Sequence, residues 1–265
     1  MLAAGAAVAA SGCAPAYSEV AAPVGVDPGG VAPPPPPLPE PPPPLLLPPP
    51  PSSARVPVPP GPISAIPGAG NNIALTVDDG ASAEVIGAYV QFAKDTGARF
   101  TFFVTGVFDG WTTHSAELRP LVESGQIQLA SHTWDHPDLT SLTSAGVAEQ
   151  FARTKTFLSN TFGVDGTPYY RPPFGYRNAA VDAIAADHGY TVPTLWYGSL
   201  SDSGLITEEY LLECAHKYFN PQTIVIGHAN HLPVTRVYGE LVEIIRARNL
   251  SMVTLNDVFS LPEAH

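Results

Sequence analysis

A few residues in this chain have the types and spacing to do chemistry. Asp78 and Asp79 are adjacent and close an apolar, β-branched run, Ile73-Ala-Leu-Thr-Val-Asp-Asp-Gly80. Successive side chains of a strand point to opposite faces, so two carboxylates at its end can be aimed apart, one at a metal and one at a water. The plain alternative is an Asp-Asp-Gly turn with no further role. His132 and His136 stand four apart directly after another apolar run, in Ser131-His-Thr-Trp-Asp-His136-Pro. Two histidines and a separate carboxylate are a common catalytic zinc set. Asp79, His132 and His136 would fill three positions and leave the rest of the shell to water and substrate. Such an open shell suits hydrolysis, where the metal activates a water and polarises a carbonyl. His228 ends the buried-strand pattern Thr223–Ile226 plus Gly227, where a histidine is either functional or paired within the core.

These residues need a scaffold that brings the ends of several strands together. From Ile73 the pattern alternates strand and helix, which implies a parallel sheet or barrel. Strands are predicted at 73–77, 99–104, 127–130, 169–170, 190–196, 223–226 and 251–255. Helices are predicted at 83–95, 116–123, 144–161, 179–188, 208–219 and 237–248, several with glycine just beyond their ends. Cys214 falls with Tyr210, Leu211 and Tyr218 on one helix face and reads as a small buried apolar residue. His114, His188, His216 and His231 read as surface or helix-end residues, His231 being near enough to His228 to stand as an alternative acid.

Taken together the motifs resemble the polysaccharide deacetylase superfamily, the NodB-type carbohydrate esterases of family four, over residues 72–258. Leu75-Thr-Val-Asp-Asp-Gly80 is similar to the first motif, and Ser131–Pro137 to the second. Arg171-Pro-Pro-Phe-Gly175 resembles the third and Ile226-Gly-His228 the fifth. Thr101-Phe-Phe-Val-Thr-Gly106 is a further family hallmark. The resemblance implies a distorted parallel (β/α) barrel of fewer than eight units. It implies Asp79, His132 and His136 as ligands of a divalent metal, zinc or in some members another such as cobalt. It implies Asp78 as general base, Arg171 as its partner and His228 as general acid. A backbone N–H near Phe174, with Pro173 and Gly175 beside it, would help hold the oxyanion. The fourth motif departs from the pattern. Leu195-Trp-Tyr-Gly-Ser-Leu-Ser-Asp202-Ser203 carries Asp202, which would tune His228, but serine where a tryptophan is usual. Trp196 or Tyr197 would then have to supply the aromatic wall.

The chain has 265 residues, a net charge of −12 and 31 prolines, 22 of them between Pro15 and Pro67. No basic stripe appears, so nucleic acid is not an expected partner. The proline-rich stretch reads as a disordered polyproline-II spacer over 14–68, with the catalytic-type domain at 69–265. Docking to a proline-binding module is the alternative role for that stretch. Residues 1–13 resemble the end of a lipoprotein signal peptide, with Cys13 as the lipidated residue, although no basic segment precedes the apolar run. These features imply an extracytoplasmic protein, lipid-anchored or secreted, that reaches into the cell wall. The expected activity is removal of N-acetyl groups from an acetylated glycan such as peptidoglycan or a chitin-like polymer. An O-deacetylase of the acetylxylan type, or a glycan-binding protein that has lost turnover, are the rivals.

Overall fold

The computed structural model describes residues 46–260. Cys13 and residues 14–45 of the expected spacer lie outside them. In chain order the elements are β1 (Val56–Pro57), β2 (Asn72–Asp79), α1 (Ala83–Thr96), β3 (Phe100–Val104), α2 (Gly110–Thr113), α3 (Ser115–Glu123), β4 (Ile127–Ser131), α4 (Ser144–Phe162), β5 (Tyr169–Tyr170), α5 (Ala179–Asp187), β6 (Val192–Pro193), β7 (Gly198–Ser199), α6 (Glu208–Tyr218), β8 (Thr223–His228), α7 (Tyr238–Ala247), β9 (Ser251–Met252), α8 (Leu255–Val258) and β10 (Phe259–Ser260). The main sheet is wholly parallel in the order β6-β5-β4-β3-β2-β8-β7, with β9 paired to the start of β2. It is the parallel arrangement that the alternation predicts, and the distorted (β/α) barrel with fewer than eight units that the resemblance implies.

The helices begin and end where their caps dictate. Ser82, Thr143, Asn178 and Thr207 each accept a backbone N–H in the first turn of α1, α4, α5 and α6. Each such cap stabilises by about 1 kcal/mol. Gly97 and Gly163 take the left-handed conformation that closes α1 and α4. Their inner faces pack on the outside of the sheet, where Val85, Tyr89, Phe92, Phe100, Phe102 and Trp111 form one buried cluster. Cys214 is buried beside Leu211, as expected, but Tyr210 on the same helix is 49% exposed and does not share that face.

The inside of the barrel corrects the expected domain boundary. Ala74, Phe103, Ala130, Tyr169, Val192 and Ile224 point inward, and the space they enclose is filled by Ile63, Ile66, Val253, Leu255, Val258 and Phe259. Residues 46–68 are therefore laid against the domain, anchored at Leu46, Ile63 and Ile66 with Val56 and Val58 packed in part, and do not hold it at a distance. Ile63 N–H donates to Pro193 O at 2.9 Å and Leu195 N–H donates to Ile63 O at 2.7 Å, so the strap lies along the edge beyond β6. Ile66 N–H donates to Gln222 O, β1 pairs with β10, and Leu46 is buried with its N–H on Thr96 O. Proline forbids ladder donors at its own positions, yet a strap that makes only scattered hydrogen bonds tolerates it and still buries the apolar residues between.

Two predicted strands are shorter than their sequence patterns. The 190–196 run keeps only Val192–Pro193 as strand, since Pro193 has no N–H and the strap takes over the pairing beyond it. The 251–255 run ends at Met252, because Thr254 caps α8 through a reciprocal pair with Asp257. No helix among the described residues is long and apolar enough to cross a membrane.

Candidate active site

Strand register gathers the site. Asp79, Val104, Ser131, Tyr170 and Pro193 are paired in one row across β2, β3, β4, β5 and β6. One residue further along, His132 and Arg171 emerge from β4 and β5. On the other flank of β2, His228 pairs directly with Asp78. All these residues lie at the C-terminal ends of parallel strands, the face on which barrels of this kind build their sites.

Asp79, His132 and His136 each offer one ligand atom, and these atoms lie within 4.8 Å of one another. His132 Nε2 is 3.4 Å and His136 Nε2 3.5 Å from Asp79 Oδ1. That carboxylate oxygen is buried without a hydrogen-bond partner, an arrangement a bound cation would complete. His132 Nδ1 lies 2.7 Å from Arg171 O, so Nδ1–H donates there and the Nε2 lone pair faces the cluster. Burial, then the neighbouring His132, lowers the His136 pKa below the usual imidazole value. Burial pushes the Asp79 carboxyl up, but His132 and a hydrogen bond from Asn230 outweigh it and leave it below the usual range. The donor set, its orientation and its protonation thus fit a divalent metal.

Asp78 is 1% exposed and divides its two oxygens. Oδ1 is bound by Arg171 Nη1, and Oδ2 is 3.5 Å from His132 Nε2, turned toward the ligand cluster. Arg171 is fully buried, with Nε on Thr194 O at 3.0 Å and Nη2 on Thr76 Oγ1 at 2.8 Å. Its guanidinium stacks over Phe103 at 4.2 Å and lies 5.6 Å from the Trp196 ring. Opposite, His228 Nδ1 is 3.0 Å from Asp202 Oδ1, and its backbone N–H donates to Asp202 Oδ2. Burial alone would lower the His228 pKa, but the Asp202 hydrogen bond and the nearby carboxylates raise it above the ordinary value. The fourth-motif segment, though altered, delivers its aspartate, 2% exposed, to the imidazole.

The backbone around the cluster is bent to make this fit. Asp79, His136 and Phe174 have φ of +72°, +61° and +60°, a sparsely populated region for such residues that recurs at functional sites. Gly80 (φ +99°) must lack a side chain, since a Cβ there would meet the Trp111 ring at 2.4 Å. Trp111 in turn donates to Asp79 O. The resulting cavity of about 470 Å³ is lined by the ligand cluster, Pro172, Phe174, Trp196, Ser199, Ser203, Ile226 and His228. Pro173 is buried behind it, and Gly175 (φ +74°) packs under Trp196. Tyr197 is 59% exposed and does not line it. Neither do His114, His188, His216 and His231. A larger cavity, about 690 Å³, opens near the N-terminal ends of β3 and β4. Its central charges, Arg99 and Asp257, already satisfy each other.

Several supports escaped the sequence reading. Asn230 donates to Asp79 Oδ2 at 2.7 Å and accepts from Ala81 N–H. Gln150 of α4 accepts from the N–H groups of Trp134 and Asp135 and donates to the Asp135 carboxylate, fixing the loop that carries both histidines. The one signal for Asn230 was its place in the polar turn just after His228.

Residues 66–193 match the family model for polysaccharide deacetylase. The chain thus carries a polysaccharide deacetylase domain. The chain is 28% identical to a chitin deacetylase of a Pestalotiopsis species, over 70% of this chain and 62% of that one. It is 27% identical to the peptidoglycan-N-acetylglucosamine deacetylase of Listeria monocytogenes, over 71% of this chain and 38% of that one. The matches thus span less than two thirds of either relative. The solved structure of a family 4 carbohydrate esterase pseudoenzyme from Bacillus anthracis shares the fold, with a TM-score of 0.66 at 18% identity over 77% of this chain and 70% of that one. Deacetylases of this family are metal-dependent hydrolases of acetylated glycans.

Proposed function

We propose that this protein is a zinc- or cobalt-dependent N-deacetylase of cell-envelope glycan, with peptidoglycan amino sugars as substrate. The observation that carries the reading is the division of Asp78. One oxygen is locked by a buried guanidinium, and the other is turned toward the point where three ligand atoms converge. A carboxylate so held is fixed and aimed, as a general base for an attacking water must be.

Asp79, His132 and His136 would hold the metal, which when bound would acidify a water and polarise the amide carbonyl. Asp78 takes the proton from the attacking water. Arg171 fixes that carboxylate through a buried ion pair. A backbone N–H at Phe174 supports the developing oxyanion. His228 gives a proton to the leaving amine, and Asp202 holds its ring and favours its protonated form. Base and acid thus come from the adjacent strands β2 and β8 and line the same cavity, and an amide with a poor leaving group requires both.

The preference for peptidoglycan rests on location. The relatives include deacetylases of both chitin and peptidoglycan, while Cys13 and the proline-rich leader favour a lipid-anchored protein outside the cytoplasm. The test is acetate release by the full chain, stripped of metal and then given zinc or cobalt. Substrates are N-acetylglucosamine oligomers, peptidoglycan and acetylated xylan. Metal-restored release from the amino-sugar substrates, reduced by a factor on the order of 10² or more in Asp78→Asn, is expected. Release from xylan alone would replace the reading with O-deacetylation. Tight metal binding with no release from any glycan would make the protein a non-catalytic glycan binder.

A further inference from the structure

The cavity over the ligand cluster has two unlike walls, and their difference bears on which acyl group it takes. One side carries Pro172 and Phe174. Phe174 and Tyr176 are exposed at its rim, their ring centroids 5.8 Å apart. A second group, Ser199, Ser203 and Ile226, comes from β7, the segment after it and β8, while Trp196 reaches Gly175 beside Phe174. A sugar ring is too large and too polar to be stripped of water on all sides, and it suits the open aromatic rim. The acyl end of the scissile amide is left to face the second wall.

An acetyl methyl asks only for apolar contact there. Ile226, 4% exposed, and the half-buried Trp196 supply it. The two serines exceed that need. Ser199 is half-buried on β7, and its Oγ already accepts from Ser201 N–H at 2.8 Å. Its own O–H, which no acceptor among the described residues takes, is left to donate. Ser203 stands exposed at the mouth of the same wall. A hydroxyl pressed against a methyl loses water without return, whereas one facing another hydroxyl regains a bond.

We propose that this wall accepts a 2-hydroxyacyl group, so that N-glycolyl amino sugars are substrates alongside N-acetyl ones. The inference rests on the deacylase reading above. In the reaction the oxygen of water bonds to the carbonyl carbon and the carbon–nitrogen bond breaks. Both water protons end on the leaving amine, giving an ammonium sugar and glycolate. No other reactant is needed.

The test compares kcat/KM for glycolate and acetate release from N-glycolyl- and N-acetylglucosamine oligomers of equal length, using the full chain loaded with zinc. Glycolate release within about tenfold of acetate release is expected. Ser199→Ala is expected to lower the glycolate-to-acetate ratio roughly tenfold, the worth of one lost hydrogen bond. Ser203→Trp, which narrows the wall, is expected to lower it as well. Acetate release with glycolate release more than about a hundredfold slower, or a ratio that Ser199→Ala leaves unmoved, would overturn the inference and leave the deacetylase reading standing. Release of neither acid would bring down both.

Discussion

Replacing Ile63 by alanine separates a structural strap from a spacer. Ile63 is 2% exposed and packs inside the barrel with Phe103, Tyr169, Val192 and Ile224. A buried isoleucine cut to alanine costs about 2–5 kcal/mol, because the space left behind collapses only in part. For a domain of this size each kcal/mol moves Tm by roughly 2–4 °C. Ile63→Ala is therefore expected to lower Tm by about 4–20 °C, followed by near-ultraviolet circular dichroism of the full chain. Were residues 62–67 a solvated spacer, the change would stay within about 0.5 kcal/mol, or roughly 2 °C. A shift that small would refute the packing argument. The variant keeps the backbone of the strap, whose Ile63 O accepts from Leu195 N–H, while Thr194 O and Leu195 O accept from Arg171. Activity at a temperature well below Tm is accordingly expected to fall far less than stability.

Asp202→Asn removes the charge that raises the His228 pKa. The acid works only while protonated, so activity is lost as pH rises through that pKa, and the variant's alkaline limb is expected at lower pH in a kcat/KM profile. An equal loss at every pH would contradict the pairing. Asn230→Ala frees Asp79 Oδ2 and is expected to weaken zinc affinity about 10–100-fold in a competitive chelator titration. Unchanged affinity would mean that Asn230 does not orient the ligand. Arg171→Lys leaves several fork-shaped contacts unmet in a fully buried site. It is expected to cost about 3–5 kcal/mol in urea unfolding, besides most of the activity.

The residues gathered at the candidate site were legible in the sequence because the chemistry proposed for them demands particular types at the ends of apolar runs. Asp78, Asp79, His132 and His228 each follow directly on a strand pattern, so the pattern itself told where they would emerge. Their supports were not legible. Gln150 sits mid-helix on α4, and Thr76 within β2, where nothing local distinguishes a residue that holds a functional loop or guanidinium from one that faces solvent or core. Residues 46–68 were misread for a related reason. Their proline content matched an extended spacer, while Ile63 and Ile66 carry the packing on just two side chains, too few to show a period. β6 and β7 have two residues each and likewise leave no periodicity to read.

Register explains why short motifs could locate a site built from distant strands. A strand's side chains alternate faces, so a slip of one residue in β4 would turn Phe103's neighbour Ala130 out of the core and replace it with Leu129 or Ser131. Burial of Ala130 inside the barrel and Leu129 outside it forbids that slip. The same constraint fixes Ser131 opposite Val104 and Tyr170, and so places His132 and Arg171 side by side, with Arg171 O at 2.7 Å from His132 Nδ1. The apolar pattern that builds the core thus also brings the imidazole of His132 to Asp79.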